Sequence, residues 1–310
     1  MSKTVVAAAS SLLVSVFSAA VAAPLSGEAL LQNFNVVTSG DVQSNSRIHG
    51  TFIVGGTLTA VSANSELNTD NEVTDAVATG LTGEGYILGD SAGANINIAR
   101  GDIFVGGTNG NINNVASNQA IPFSSQDIAD AGQALSSFLG GLSGTASLPM
   151  DSNQAISSVL GSDGISVLNI DAADLSSINN LSFATSGITT VVNVSTENSG
   201  GVFTIPQNLN FNYDPTNSPF VLFNFVDATA VNLTKGWGAS ILAANATVTM
   251  TGSDVWGSIF AAELIQSQGQ IHPGLFAGDL PEIDAQVPLP AGALLFAPAL
   301  GAILLRRRSR

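Results

Sequence analysis

Cysteine is absent from the 310 residues of the chain. That excludes a disulfide frame, a thiolate metal site, a cysteine nucleophile and a haem-attachment motif. Histidine is nearly absent: His49 and His272 are the only two, more than two hundred residues apart. Each reads as a turn or surface residue, because no second ligand type stands at metal-binding spacing beside it. A serine triad needs a histidine with an orienting partner, and neither has a recognisable one. Charge is also scarce, at 10% of residues against roughly 25% in an average soluble domain. The eight basic residues are Lys3, Arg47, Arg100, Lys235, Arg306, Arg307, Arg308 and Arg310, and only three lie away from the ends. All 23 acidic residues fall between Glu28 and Asp284. A body this acidic lacks the clustered lysine and arginine that a phosphate backbone requires, so nucleic-acid binding is excluded. Peripheral attachment to anionic lipid is disfavoured for the same reason.

What is present is a folded composition. Hydrophobic residues make up 45% of the chain, rich in Val, Ile, Leu and Phe, whereas disordered chains are polar and poor in β-branched residues. The length accommodates one large domain or two modest ones.

The two ends read as address labels. Residues 1–22 form a secretory signal peptide: Lys3 is the positive n-region, 5–21 the apolar h-region, and Ala20-Val21-Ala22 an A-x-A cleavage site for signal peptidase. Residues 282–286 form a linker. Residues 287–305 then carry no charge and are long enough to cross a ~30 Å hydrocarbon core as a helix. Arg306, Arg307, Arg308 and Arg310 follow, a basic stop that stays cytoplasmic while everything before it is exported. Val287-Pro288-Leu289-Pro290-Ala291, the apolar span and the arginine cluster together resemble the VPLPA-type variant of the PEP-CTERM sorting signal over residues 287–310. The resemblance implies reading by an exosortase, a tether in the inner membrane, and delivery to the cell surface or extracellular matrix of a Gram-negative bacterium.

Between the labels, residues 23–281 read as mainly β. Short apolar runs bounded by Gly and Asn predict strands at 34–37, 50–54, 96–99, 102–105, 165–170, 188–194, 220–225, 246–250 and 257–261. Gly50-Thr51-Phe52-Ile53-Val54-Gly55-Gly56-Thr57 returns as Gly101-Asp102-Ile103-Phe104-Val105-Gly106-Gly107-Thr108. Ser240-Ile241-Leu242-Ala243-Ala244 returns 18 residues later as Ser258-Ile259-Phe260-Ala261-Ala262, a spacing near one coil of a β-helix. The fold expected is therefore a β-solenoid, taken as right-handed, with a β-sandwich as the alternative; in style it resembles the ice-binding solenoids, which implies an ice-binding-like form. The double glycines suit tight corners at positive φ, and without a Lys-Ser/Thr sequel they are not phosphate loops. One segment departs from strand: Ser124 as N-cap, with Ile128, Ala131, Leu135, Phe138 and Leu139 on one face, predicts a single long helix at about 124–139 that covers an apolar side. Gly140-Gly141 ends it.

This body resembles the choice-of-anchor A domain over residues 31–281. The matching words include Phe34-Asn35-Val36, Ile121-Pro122-Phe123, Asn193-Val194-Ser195, Leu222-Phe223-Asn224-Phe225, Ile241 through Val248, and Gly269-Gln270-Ile271-His272 leading to Phe276-Ala277-Gly278-Asp279-Leu280-Pro281. Ala244 departs from the family's usual proline. The resemblance implies an exported adhesive or structural protein of envelope or biofilm. It brings no catalytic, cofactor-binding or metal residue.

Candidate chemistry is sparse. Glycoside hydrolysis needs two opposed carboxylates, and Asp171 with Asp174 reads more simply as a helix start. A β-helix lyase needs more basic residues than Arg47, Arg100 and Lys235 supply. Residues 66–72, from Glu66 to Glu72, crowd three carboxylates and two amides that suit calcium or a solvated loop. Thr57-Leu58-Thr59 and Thr247-Val248-Thr249 with Thr251 place hydroxyls on strand faces, either as ordinary outward threonines or as an ice-binding array. Trp237 and Trp256 are core residues or sugar-stacking rings. The function expected is a non-enzymatic surface protein, with exopolysaccharide as a candidate partner. A secreted polysaccharide-active enzyme and an ice- or surface-binding module are the alternatives.

Overall fold

The computed structural model describes residues 25–62, 66–67, 85–98, 101–113, 115, 121–149, 153, 155–252 and 254–282. The signal peptide with Ala20 and Ala22, the motif Val287-Pro288-Leu289-Pro290-Ala291, and the cluster Arg306, Arg307, Arg308 and Arg310 lie outside these residues. Among the described residues no helix is long and apolar enough to cross a membrane.

Every strand pair among the described residues is parallel. A β-sandwich is built from antiparallel strands, so that alternative fails. The strands are mostly three to six residues long and, apart from the separate pair Ile156–Ser157 and Phe183–Ala184, fall on three faces. The first face has nine strands in the order Ile103–Val105, Gly85–Ile87, Phe52–Val54, Val36–Thr38, Ile259–Gln266, Ser240–Met250, Val221–Phe225, Thr190–Ser195 and Ser166–Asp171. A second face joins Val202–Thr204, Ala230–Leu233, the far halves of Ser240–Met250 and Ile259–Gln266, then Val42–Ser44, Leu58–Ala60 and Ser91–Gly93. The third carries Val255–Trp256, Ile271–His272, Arg47–Ile48, Glu66–Leu67 and Asn97–Ile98.

The stacking does not follow the chain. Val36–Thr38 sits in the middle of the first face, between Phe52–Val54 and Ile259–Gln266. The early strands run outward from there to one end. A long helix then follows, and the later strands start at the opposite end and return to the middle. The seam is tight: Val36, Val37 and Thr38 pair with Ile259, Phe260 and Ala261. The first expected repeat is therefore not a pair of neighbours, because Gly85–Ile87 lies between its two members. The second is, with Ile241 beside Ile259.

The first face is buried on both sides. Inward residues such as Val36, Phe52, Val192, Phe223 and Ile259 form one core, and the alternating residues Val37, Ile53, Val191, Leu222 and Phe260 form another beneath the helices. Burial on both sides explains the unbroken apolar runs in these strands. The helices are α1 (Gly27–Asn33) and α2 (Ser125–Gly140). Ser124 caps α2 as expected, accepting from the Asp127 amide at 3.2 Å, while Asp127 accepts from the Ser124 amide at 2.7 Å. The Ser124 amide and hydroxyl, each donating to Asp127 Oδ2 at 2.7 Å, hold the Asp127 carboxyl below the usual carboxylate range. Ile128, Ala131, Leu135 and Leu139 are buried against the sheet. Gly141 closes α2 in a right-handed conformation, φ −82°, so no left-handed cap is used. The expectation of a single helix is corrected by α1, whose start signal is present in the chain: the Ser26 hydroxyl accepts from the Ala29 amide at 3.3 Å.

The helix C-terminus is tied to the sheet by asparagine. Asn169, Asn193 and Asn224 stand in register on adjacent strands. Each amide donates to the next carbonyl oxygen, Asn224 to Asn193 at 2.8 Å and Asn193 to Asn169 at 2.9 Å. Asn224 also donates to the Ser136 carbonyl at 2.9 Å and accepts from its hydroxyl at 2.6 Å. Asn193 donates to Leu139 O at 2.8 Å.

The double glycines serve a purpose other than the expected one. Gly55, Gly56, Gly106 and Gly107 are not among the residues at positive φ. They are needed because turns stack closely: a Cβ on Gly55 would lie 2.3 Å from Ser39 O, and one on Gly106 would lie 2.6 Å from Leu88 O. Gly40, Gly56, Gly89 and Gly107 then form a backbone ladder with N···O distances of 2.9–3.0 Å.

Both ends of the described domain meet at α1. The Leu280 amide donates to Glu28 Oε1 at 2.7 Å, and Gln32 Nε2 donates to Gly278 O at 2.9 Å. Burial pushes the Glu28 carboxyl above its ordinary value; the Leu280 bond acts the other way and Asp279 adds to the rise. A carboxyl raised by folding favours the folded state below the ordinary value of 4.5, and that contribution is lost as pH rises through the elevated one.

Candidate binding surface

Among the described residues both helices pack against the first face, and the outward side of the second is left open. Its strands alternate, as a half-buried strand must. Phe203, Val231, Val248, Leu264, Val42 and Leu58 point inward and are at most 2% exposed. The intervening residues point out. In register across seven strands they are Thr204, Asn232, Thr249, Ile265, Gln43, Thr59 and Ala92. At a strand spacing of ~4.8 Å this file is about 29 Å long. It contains no ionisable side chain. Asn232 Nδ2 donates to Thr204 Oγ1 at 3.1 Å, which holds both side chains down against the sheet. A second outward file holds Val202, Ala230, Thr247 and Glu263. The file of small hydroxyl, amide and methyl groups is therefore preset by backbone pairing, and it needs no induced fit to meet a flat partner.

Two of the threonine tracts converge here. Thr59 and Thr249 share the first file, and Thr247 lies in the second. Thr57 turns away into the corner, where its amide donates to Asp41 Oδ1 at 2.7 Å.

The third face carries a ring stack that sequence reasoning missed. Tyr213 lies over Trp256 (centroids 5.0 Å, planes 21°), Trp256 over His272 (4.1 Å, 14°) and His272 over His49 (4.9 Å, 14°). Parallel pairing of Ile271 with Ile48 brings the two histidines together. His49 is buried at 8% exposure, which corrects its reading as a surface residue, and its Nε2 lies 2.8 Å from Gln270 Oε1. Likewise His272 Nε2 sits 3.1 Å from Asp254 Oδ2. The signal was in the chain as three like words: Arg47-Ile48-His49, Gln270-Ile271-His272 and Asp254-Val255-Trp256.

The sugar-stacking role for tryptophan is not available. Trp237 is 1% exposed, packed among Phe203, Phe211 and Phe223. Trp256 has both ring faces covered, one by Tyr213 and one by His272.

The carboxylates are engaged in structure. Asp171 caps a 3-10 turn (Ala172–Ser177) with Asp174 in its capping box. The Ala173 amide and the Asn198 side chain hold the Asp171 carboxyl below its usual range. At Asp227, burial raises the carboxyl but is outweighed by bonds from the Thr196 amide and the Ser195 and Thr196 hydroxyls, so it too lies low. Of the calcium candidate 66–72, Glu66 is bonded to Arg47 Nε at 2.7 Å, and residues 68–72 lie outside the described ones. Among the described residues no group of three or more His, Asp or Glu is placed to hold a metal ion.

Comparison with known proteins places these faces in context. The family model described as "Putative Ice-binding-like adhesive domain" matches residues 27–273. Among solved structures, the chain is similar to an ice-binding protein from the Antarctic ascomycete Antarctomyces psychrotrophicus, with 14% identity, covering 83% of this chain and 100% of that one at a TM-score of 0.30. It is also similar to the DUF3494 domain of an ice-binding protein from Shewanella frigidimarina, with 12% identity, 81% and 98% coverage and a TM-score of 0.31. No curated protein matches the chain.

Proposed function

The chain belongs to the family described as "Putative Ice-binding-like adhesive domain", and from that premise we propose that its open face is an adhesive platform for an ordered surface. The observation that carries this is the uninterrupted outward file from Thr204 to Ala92, seven strands long and free of charge. Flat regular arrays bind by summing many weak contacts, so they need a partner that is itself extended and regular, such as ice or a packed polysaccharide. The stacked parallel turns support the reading of the body as a right-handed β-solenoid. The domain is read as non-enzymatic: Asp127 and Asp171 cap helical turns, and Asp214 and Asp227 accept bonds from neighbouring loop groups, so these four carboxylates are engaged in local structure.

The proposed route to the surface rests on the two end segments. Signal peptidase removes residues 1–22, the 287–305 span holds the protein in the inner membrane, and an exosortase reading Val287 to Ala291 passes it to the cell surface or matrix. Mass spectrometry of the mature C-terminus tests this, since a retained Arg310 would leave a simple tail anchor.

The binding reading is tested by depletion of the purified chain onto growing ice and onto insoluble polysaccharides, with thermal hysteresis measured in parallel. Retention on at least one such surface is expected. Recovery of all the protein in solution from every surface would overturn the reading.

A further inference from the structure

Beside the ring stack, the third face has a depression of 320 Å³ lined by Ser46, Arg47, Glu66 and Gln270. That volume sits at the lower end of the ~300–1,000 Å³ typical of small-ligand sites. We propose that it binds one unit of a neutral, hydroxyl-rich saccharide.

The chemistry of the lining narrows the ligand. All four side chains that line it among the described residues are polar, which disfavours an apolar guest. Arg47 and Glu66 form a 2.7 Å pair with side chains 47% and 32% exposed. Their charges cancel, while the guanidinium retains spare donors and the carboxylate spare lone pairs. A phosphate or uronate would meet the Glu66 carboxylate beside the guanidinium and would have to approach a chain of net charge −15. A cation would have to displace Arg47. A neutral polyol needs neither: vicinal hydroxyls donate to the carboxylate and accept from the guanidinium at once, with the ion pair intact.

The site is also preset. Gln270 is held by His49 at 2.8 Å, and His49 is itself clamped by its stack on His272. Side chains already ordered lose less entropy on binding. With both faces of Trp256 covered, recognition here is by hydrogen bonding and not by ring stacking.

The test is a titration of the full chain, by calorimetry and by amide chemical shifts, with neutral gluco- and galacto-oligosaccharides and with an oligogalacturonate of equal length. Binding of at least one neutral series is expected, with shifts centred on Ser46, Arg47 and Gln270. The oligogalacturonate should bind about tenfold more weakly or not at all. Arg47→Lys keeps the charge but loses the planar fork, and Gln270→Ala loses the preset amide. Each should weaken binding about tenfold. Melting curves confirm that each variant is folded, and Arg47→Lys serves where Gln270→Ala does not fold. Absence of binding by every neutral series, tighter binding of the oligogalacturonate, or undiminished affinity in Arg47→Lys would each overturn the proposal. The depression and the flat file lie on different faces; depletion onto ice reports on the file and the Arg47→Lys titration on the depression, so failure of one reading is distinguishable from failure of the other.

Discussion

Asn224→Asp is expected to destabilise the fold by about 3–5 kcal/mol at neutral pH. The change is nearly isosteric, so packing survives and only the hydrogen-bond logic breaks. Asn224 is fully buried, and its amide donates to Ser136 O and to Asn193 Oδ1. A carboxylate there turns one oxygen onto two acceptors, Ser136 O and Asn193 Oδ1, while the other keeps the Ser136 hydroxyl, and it places a charge in the core with no cation beside it. Burial raises the introduced carboxyl's pKa, so the sign of the pH dependence is set. The penalty is largest above that raised pKa and shrinks as pH falls through it, because the neutral acid restores one of the two donated bonds. Urea unfolding of the variant and parent from pH 8 to pH 5 measures this: the gap between them should narrow toward acid. Asn224→Leu, which takes the partner from Asn193 Oδ1 and the Ser136 hydroxyl but adds no charge, should show a gap that does not vary with pH.

Gly132→Val is expected to detach α2 from the sheet and to lower stability by about 3 kcal/mol, at the upper end for overpacking. A Cβ on Gly132 would lie 2.3 Å from Phe260 Cε1. Phe260 cannot yield, because it is fully buried on the strand that pairs with Val36–Thr38 at the seam. The helix must therefore lift, which uncovers Leu222, Leu242 and Phe260 beneath it. Increased binding of a hydrophobic dye together with a lower urea midpoint would report this. Gln133→Val, one residue along on the exposed side of α2, should change neither by more than a few tenths of a kcal/mol.

These effects centre on features only partly legible in the chain. Strand type was readable, because β-branched runs bounded by glycine and asparagine have few other uses. The expected strand at 165–170 differs from the observed Ser166–Asp171 by one residue at each end. The long helix was readable from its Ser124 cap and apolar stripe. The neighbours of each strand were not. Periodicity reports which side of a strand is buried, and it carries no information on which strand lies beside it. Thus Val36 pairs with Ile259 across the seam, and nothing local at either residue announces the other. The same blindness separated His49 from His272, although the shared Ile-His word was a signal that they occupy equivalent places in different turns. The double glycines were recognised as corners, but the reason lay in the adjacent turn, whose carbonyl occupies the space of a Cβ. On the open face, composition put Thr59 and Thr249 on strands, and only the register put them in one file.

The open face is tested most directly by crowding it. Tyrosine at both Thr59 and Thr249 leaves the inward residues untouched and raises two rings above the flat file, while Gln133→Tyr places a ring on the outer side of α2 as a control. If the file is the adhesive surface, the double variant binds ice or insoluble polysaccharide at least about tenfold more weakly than the parent, with the control unchanged. Full binding by the double variant, or loss confined to Gln133→Tyr, would contradict it.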